Sequence, residues 1–278
     1  MSEPSTLPFF AAEHDPGPSF VDLLRHVAPG SLAPPWREGR ADAFEITHAT
    51  TVVAIRSADG VVMAGDRRAT AGHAIANRRI EKVFAADEHS GVAIAGAAGP
   101  AVEMVRLFQV QLRHYEKVEG VQLSLEGKAN QLAQMVRANL PAAMQGFVVI
   151  PLFAGFDHRR QRGRVFSYDA TGGKYEEADY QTNGSGGVHA RNWIKAGWHD
   201  DMSADDGVAL AIRSLFAAAD EDAATGGPDL VRGIYPMVAI IDADGFRLLD
   251  DDDVAARAQA LLGGAERGGT ESTGGTES

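Results

Sequence analysis

Cysteine is absent from the 278 residues, which removes disulfides, thiolate metal sites and a cysteine nucleophile together and fits a reducing cytoplasm. Basic charge is scarce. The 26 Lys and Arg face 38 Asp and Glu, a formal net charge of −12, so nucleic acid and anionic membrane surfaces are disfavoured as main partners. The pairs Arg67/Arg68 and Arg78/Arg79 accordingly read as salt-bridge or interface residues rather than a phosphate track. No apolar run approaches the roughly 18 residues needed to span a bilayer, and the N-terminus lacks a basic stretch followed by an unbroken apolar core. Catalytic signatures are missing too. There is no HExxH, no P-loop lysine motif and no GxSxG, and the nine histidines are scattered, so zinc hydrolysis, P-loop nucleotide use and an α/β-hydrolase elbow have no support. Single histidines such as His73, His114 and His189 read as surface or satisfied polar residues. The loop Gly184-Ser185-Gly186-Gly187 has the glycines of a phosphate cradle but not its lysine.

What the chain does contain is 45% hydrophobic residues, enough for a substantial core, and a change of character at residue 50. Residues 1–49 are rich in proline and broken in pattern. Pro4, Pro8, Pro16 and Pro18 punctuate the start; Ser19 with Asp22 resembles a capping pair ahead of an apolar helical face of Phe20, Leu23, Leu24 and Val27, which Pro29-Gly30 ends. This segment reads either as a detachable leader carrying one small helix or as a disordered tail. The compact domain opens on Thr50-Thr51. Two apolar runs flank Ser57-Ala58-Asp59-Gly60, the pattern of a β-hairpin over residues 50–66. If the bond before Thr50 is cut, that residue owns both a nucleophilic hydroxyl and a free amine able to serve as its base.

After a small, polar run from Ala69 to Asn77, strands are predicted at Ile80–Phe84 and Val92–Ala95. A helix follows from Pro100 to Gly120, and a second from Ser124 to Gly146 that Pro141 kinks or brings to its final turns. Phe147–Phe156 reads as a strand buried on both faces. Arg164–Asp169 and Tyr175–Gln181 form a further hairpin across Gly172-Gly173. Helices at 188–198 and 204–221 come next, the second opened by Ser203 with Asp206. Strands Ile234–Asp242 and Phe246–Leu249 pair across Asp244-Gly245, and a last helix runs to Leu262 ahead of a Gly-, Thr- and Glu-rich tail. Hairpin-linked strands with segregated helix pairs imply one α+β domain, two antiparallel sheets covered by helices.

The spacing of particular residues is more specific. Thr50-Thr51-Val52-Val53-Ala54, Gly65-Asp66-Arg67-Arg68, Lys82-Val83, Gly96, Gly184-Ser185-Gly186 and Gly226-Gly227-Pro228-Asp229 resemble the β subunit of the 20S proteasome in its actinobacterial form. The likeness covers residues 50–260. It includes an Asp 16 residues after the threonine, a Lys 32 after it and a Gly 46 after it. Counting from Thr51 puts Arg67, Val83 and Ala97 at those positions, which have no suitable chemistry.

The resemblance implies a four-layer αββα sandwich, the N-terminal nucleophile hydrolase fold, and a threonine endopeptidase. Thr50 would be the nucleophile with its own amine as base; Lys82 would supply positive charge and Asp66 would fix it. The Gly96 amide would form the oxyanion site, and Ser185 and Asp222 would bond around the amine, although Asp220 is close enough to be confused with Asp222. Residues 1–49 become a propeptide cut between Ala49 and Thr50, residues 50–265 the catalytic domain and 266–278 a disordered tail. Ala69, Thr70, Ile80, Phe84, Ile94 and Ala98 match substrate-binding positions, small and apolar enough to imply an apolar residue before the cleaved bond. No cofactor or metal is implied. The implied partners are heptameric rings of this chain, proteasome α subunits, a ring ATPase acting through the α rings and unfolded polypeptides in the cytoplasm. Two alternatives are a simpler bacterial ATP-dependent threonine protease and a non-catalytic β-type ring subunit.

Overall fold

The hairpin forms where the sequence places it. Strand β1 (Thr51–Arg56) pairs antiparallel with β2 (Val61–Gly65), Val52 opposite Gly65 and Arg56 opposite Val61. The computed structural model describes residues 50–71 and 74–268, with Ala71 and residues 263–268 described by backbone alone. The helix expected over residues 20–27, Ala49 and the end of the tail lie outside the described residues.

Two five-stranded antiparallel sheets carry the domain. The first has the order β10-β1-β2-β11-β12, with β10 (Tyr180–Gly184), β11 (Met237–Asp242) and β12 (Gly245–Leu248). The second runs β5 (Val83–Asp87), β6 (Ser90–Gly96), β7 (Val149–Asp157), β8 (Arg162–Tyr168) and β9 (Lys174–Glu177). Alternation along each strand divides its apolar residues between two cores. Val52, Ala54, Met63, Ala93, Ala95, Leu152 and Ala239 meet between the sheets. Val53, Ile55, Val62 and Val238 instead face α4 (Gly187–Gly197) and α5 (Ala204–Glu221). On the opposite side Val92, Ile94, Phe153 and Phe166 face α1 (Ala98–Glu119) and α2 (Leu125–Ala138). The architecture is therefore the four-layer αββα sandwich, and burial on both faces explains why the strands read as unbroken apolar runs.

Helix ends follow the capping residues. The hydroxyls of Ser124 and Ser203 accept the N–H groups of Gly127 and Asp206, both at 3.1 Å. Pro141 does interrupt the long helix: α2 stops before Asn139 and a single turn, α3 (Leu140–Ala143), restarts with the proline in its first positions. Three sequence expectations are corrected. Ala69–Asn77 contains a small ribbon of β3 (Ala69–Ala71) and β4 (Ala74–Asn77). Tyr175–Gln181 is not one strand, because the chain breaks after Glu177, and β9 and β10 belong to different sheets. The last helix, α6 (Asp251–Gly268), continues past Leu262.

A charge cluster ties α2 to the second sheet. The buried Arg164 guanidinium donates to Asp157 at 3.0 Å, to Glu126 at 2.6 Å and to Glu176 at 2.6 and 2.8 Å, while Lys174 also bonds Glu126. Hydrogen bonds from Arg164 lead in holding Glu176 below its ordinary range, and Lys174 leads for Glu126. For Asp157 burial pushes upward but is outweighed by donors from Arg160, Arg164 and Arg159. Because the folded values are lowered, these carboxylates contribute stability above their ordinary range near pH 4, and lose it as pH falls through the lowered values. Urea midpoints should therefore drop on acidification below about pH 4, and Arg164→Leu should lower the midpoint at pH 7 while flattening that acid dependence.

Candidate active site

Asp66 follows β2 directly, and the hairpin register returns it to the start of β1. Its N–H donates to the Thr51 carbonyl at 3.1 Å, and its fully buried carboxylate collects four donors. Oδ1 accepts the Thr51 N–H at 2.8 Å and Lys82 Nζ at 2.6 Å. Oδ2 accepts the N–H groups of Arg68 and Gly226, both at 2.8 Å. Lys82, only 2% exposed, also donates to the Arg68 carbonyl at 2.6 Å, so two of its three donors are committed. Burial lowers the Lys82 pKa from the ordinary lysine value, and the Asp66 charge opposes that shift.

Thr50 sits at the mouth of β1, 6% exposed. Its carbonyl accepts the Ser185 N–H at 3.0 Å. The approach requires glycine at position 184: φ is +97° there, and a Cβ would overlap the Thr50 carbonyl oxygen. Ser185 donates its hydroxyl to Asp222 Oδ2 at 2.5 Å, and the Ala224 N–H reaches Oδ1 at 3.1 Å. Asp222, the residue that caps α5, is thereby the aspartate that bonds Ser185. Burial pushes the Asp222 carboxyl upward, but the Ser185, Thr225 and Ala224 hydrogen bonds outweigh it and hold the pKa below the usual range.

A match to the proteasome subunit family spans residues 46–231. The chain belongs to the proteasome subunit family. It is 60% identical over 245 residues to a proteasome subunit beta of Acidimicrobium ferrooxidans, covering 88% of this chain and 89% of that one. Identity to the proteasome subunit beta of Acidothermus cellulolyticus is 53% over 258 residues, covering 90% and 88%. For the proteasome subunit beta of Streptomyces griseus it is 51% over 248 residues, covering 88% and 87%.

Other positions singled out in this proteasome subunit are dispersed. Gly96 ends β6, whose Ala93 and Ala95 share the inter-sheet core with Val52; its φ is +118°, and a Cβ would overlap the Val148 carbonyl. Ile80 and Phe84 line a cavity of about 410 Å³ with Val102, Val105 and Gln109. Ile94 is buried in the core that Phe84 and Val102 pack against. Ala69 and Thr70 lie on β3 opposite Asn77 and Ile75, and Ala98 opens α1; none of these four lines that cavity. A larger cavity, about 760 Å³ around His89, Asp157 and His158, touches none of the candidate residues. Among the described residues no group of His, Asp or Glu could hold a metal ion, and no helix is long and apolar enough to cross a membrane.

Sequence reasoning missed two contributors. Thr51 and Thr225 are fully buried and their hydroxyl oxygens lie 2.6 Å apart. The second threonine of the opening pair was the available signal, since alternation sends it to the opposite face from Thr50. Two substitutions test the geometry. Gly184→Ala should leave a folded domain whose Thr50 is displaced, and Asp66→Asn should present an amide to four donors. Each should cut peptide hydrolysis by about 100-fold or more, measured on a small fluorogenic peptide.

Proposed function

We propose that this chain is a β-type proteasome subunit and a threonine endopeptidase, with Thr50 as its nucleophile after removal of residues 1–49. The observation that carries the reading is the Asp66 carboxylate, which holds both the backbone one residue from Thr50 and the Lys82 ammonium. While the leader is attached, the Thr50 nitrogen is an amide and cannot act as a base. Attack of Thr50 Oγ1 on the Ala49 carbonyl, with the chain transferred from nitrogen to oxygen and the ester then hydrolysed, releases residues 1–49 and a free amine.

In the mature subunit the Thr50 hydroxyl adds to a substrate carbonyl and its proton passes to the α-amine, whose ordinary pKa near 8 suits neutral pH. The amine returns that proton to the leaving nitrogen as the C–N bond breaks, and water hydrolyses the acyl-threonine ester. Lys82, held by Asp66, supplies positive charge that favours the unprotonated amine and the developing alkoxide. A depressed Lys82 pKa is compatible with that task only because the carboxylate keeps the ammonium paired. The Gly96 N–H is the proposed oxyanion donor. Threonine suits the role because β-branching restricts χ1 and aims the hydroxyl.

The family and its β-named relatives support assembly into rings with α subunits; to that the proposal adds seven-membered rings around an enclosed chamber and a ring ATPase that feeds it unfolded polypeptide. The intact set of Thr50, Asp66, Lys82 and Gly96 favours a catalytic subunit over a structural one. The long region before Thr50 favours it over the simpler bacterial threonine protease.

Intact mass of the assembled protein should show loss of residues 1–49. Thr50→Ala should keep them attached and reduce hydrolysis to background, and an active Thr50→Ala protein contradicts the mechanism. Lys82→Ala should assemble but process its leader about 100-fold more slowly or not at all; normal processing would make the lysine structural.

A further inference from the structure

Asp222, as a carboxylate, only accepts hydrogen bonds, and this fixes the direction of the hydroxyls around it. Its Oδ2 takes the Thr225 hydroxyl hydrogen at 2.6 Å. Thr225 has no second hydrogen to offer, so in its 2.6 Å contact with Thr51 the Thr225 oxygen accepts and Thr51 donates. Thr51 Oγ1 in turn accepts the Gly186 N–H at 3.0 Å. The hydrogen bonds therefore run one way, from Gly186 N–H through Thr51 and Thr225 to Asp222. Aligned chains of this kind polarise one another away from water. Gly186 is packed against both hydroxyls, since a Cβ there would lie 2.6 Å from Thr51 Oγ1 and 2.5 Å from Thr225 Oγ1.

The same threonine is held from its other side by the Asp66 carboxylate through its backbone N–H. The following dipeptide repeats the bridge, because Thr225 bonds Asp222 while the Gly226 N–H bonds Asp66. We propose that the Thr51 hydroxyl is a positioning group for the reaction, locking the strand end from which Thr50 projects by joining the Ser185–Asp222 pair to the Asp66–Lys82 pair. The inference rests on Thr50 being the nucleophile. Near-attack geometry tolerates little displacement, about 1 Å costing on the order of 100-fold in rate. Removing the hydroxyl leaves the Gly186 N–H without its acceptor and the Thr225 oxygen without its donor, so the strand end keeps only its Asp66 anchor although the methyl groups still fill the site.

The test compares Thr51→Val, which keeps shape and loses the hydroxyl, with Thr51→Ser, which does the reverse. On assembled particles and a fluorogenic peptide with an apolar residue before the cleaved bond, Thr51→Val should lower kcat about 10- to 100-fold with KM changed less than about threefold. Thr51→Ser should restore most of kcat. Thr225→Val should reproduce the loss, and the double valine variant should be no worse than either single one, since both break one chain. If Thr51→Val fails to assemble, Thr225→Val against Thr225→Ser makes the same comparison from the next link. Wild-type kcat in the valine variants, valine tolerated where serine is not, or additive losses would overturn the proposal. Thr50→Ala measured alongside separates the two ideas: residual hydrolysis there removes the nucleophile itself, whereas an inactive Thr50→Ala beside fully active valine variants removes only the role of Thr51.

Discussion

Burying a carboxylate away from water is costly unless every one of its acceptor sites finds a donor, and around Asp66 that requirement is met by four separate stretches of chain. Thr51 belongs to β1, Arg68 to the segment after β2, Lys82 to the approach to β5 and Gly226 to the loop after α5. All four partners donate, so the acceptor-only form of the side chain is the one the site is built around. None of the four stretches can shift without leaving a buried polar group unmatched. The geometry at Thr50 thus depends on one side chain that itself touches no substrate in the proposed reaction.

The rest of the fold makes that arrangement stiff. Central strands are packed on both faces, with Val52 and Ala54 toward the second sheet and Val53 and Ile55 toward the helices, so β1 has no freedom to slide or roll by one residue. Gly184 then allows close approach at the site by letting the Thr50 carbonyl lie against β10, while Gly96 turns where β6 ends. A rigid scaffold with glycine-lined ends suits attack on an extended peptide, where a side chain would otherwise intrude.

Much of this was legible in the sequence, and unevenly so. Thr50 and Asp66 belong to one hairpin, so their spacing is a local property that a turn signal and two apolar runs convey. Lys82, Gly96, Ser185 and Asp222 were placed by family resemblance, and all but Gly96 have hydrogen bonds that tie them to the Thr50–Asp66 region. The Thr51–Thr225 contact spans 174 positions, so although alternation turns Thr51 away from Thr50, nothing in the sequence marks Thr225 as its partner. Tyr175–Gln181 reads as one strand because no glycine or proline marks the two-residue break between Glu177 and Tyr180, where the chain passes from one sheet to the other. Ile94 was within reach of the pattern: it shares a face with Val92, and that face meets the helices, whereas Ala93 and Ala95 face the other sheet.

The central claim, that the chemistry belongs to the first residue of the domain, is tested most directly by locating a covalent bond. Assembled, processed particles treated with a peptide carrying an electrophilic carbonyl trap should lose activity in step with one adduct per subunit. Digestion and mass spectrometry should then find the added mass on the peptide that begins at Thr50, at its first residue. An adduct on Ser185 or on Thr51, or complete inactivation with Thr50 unmodified, would contradict the account.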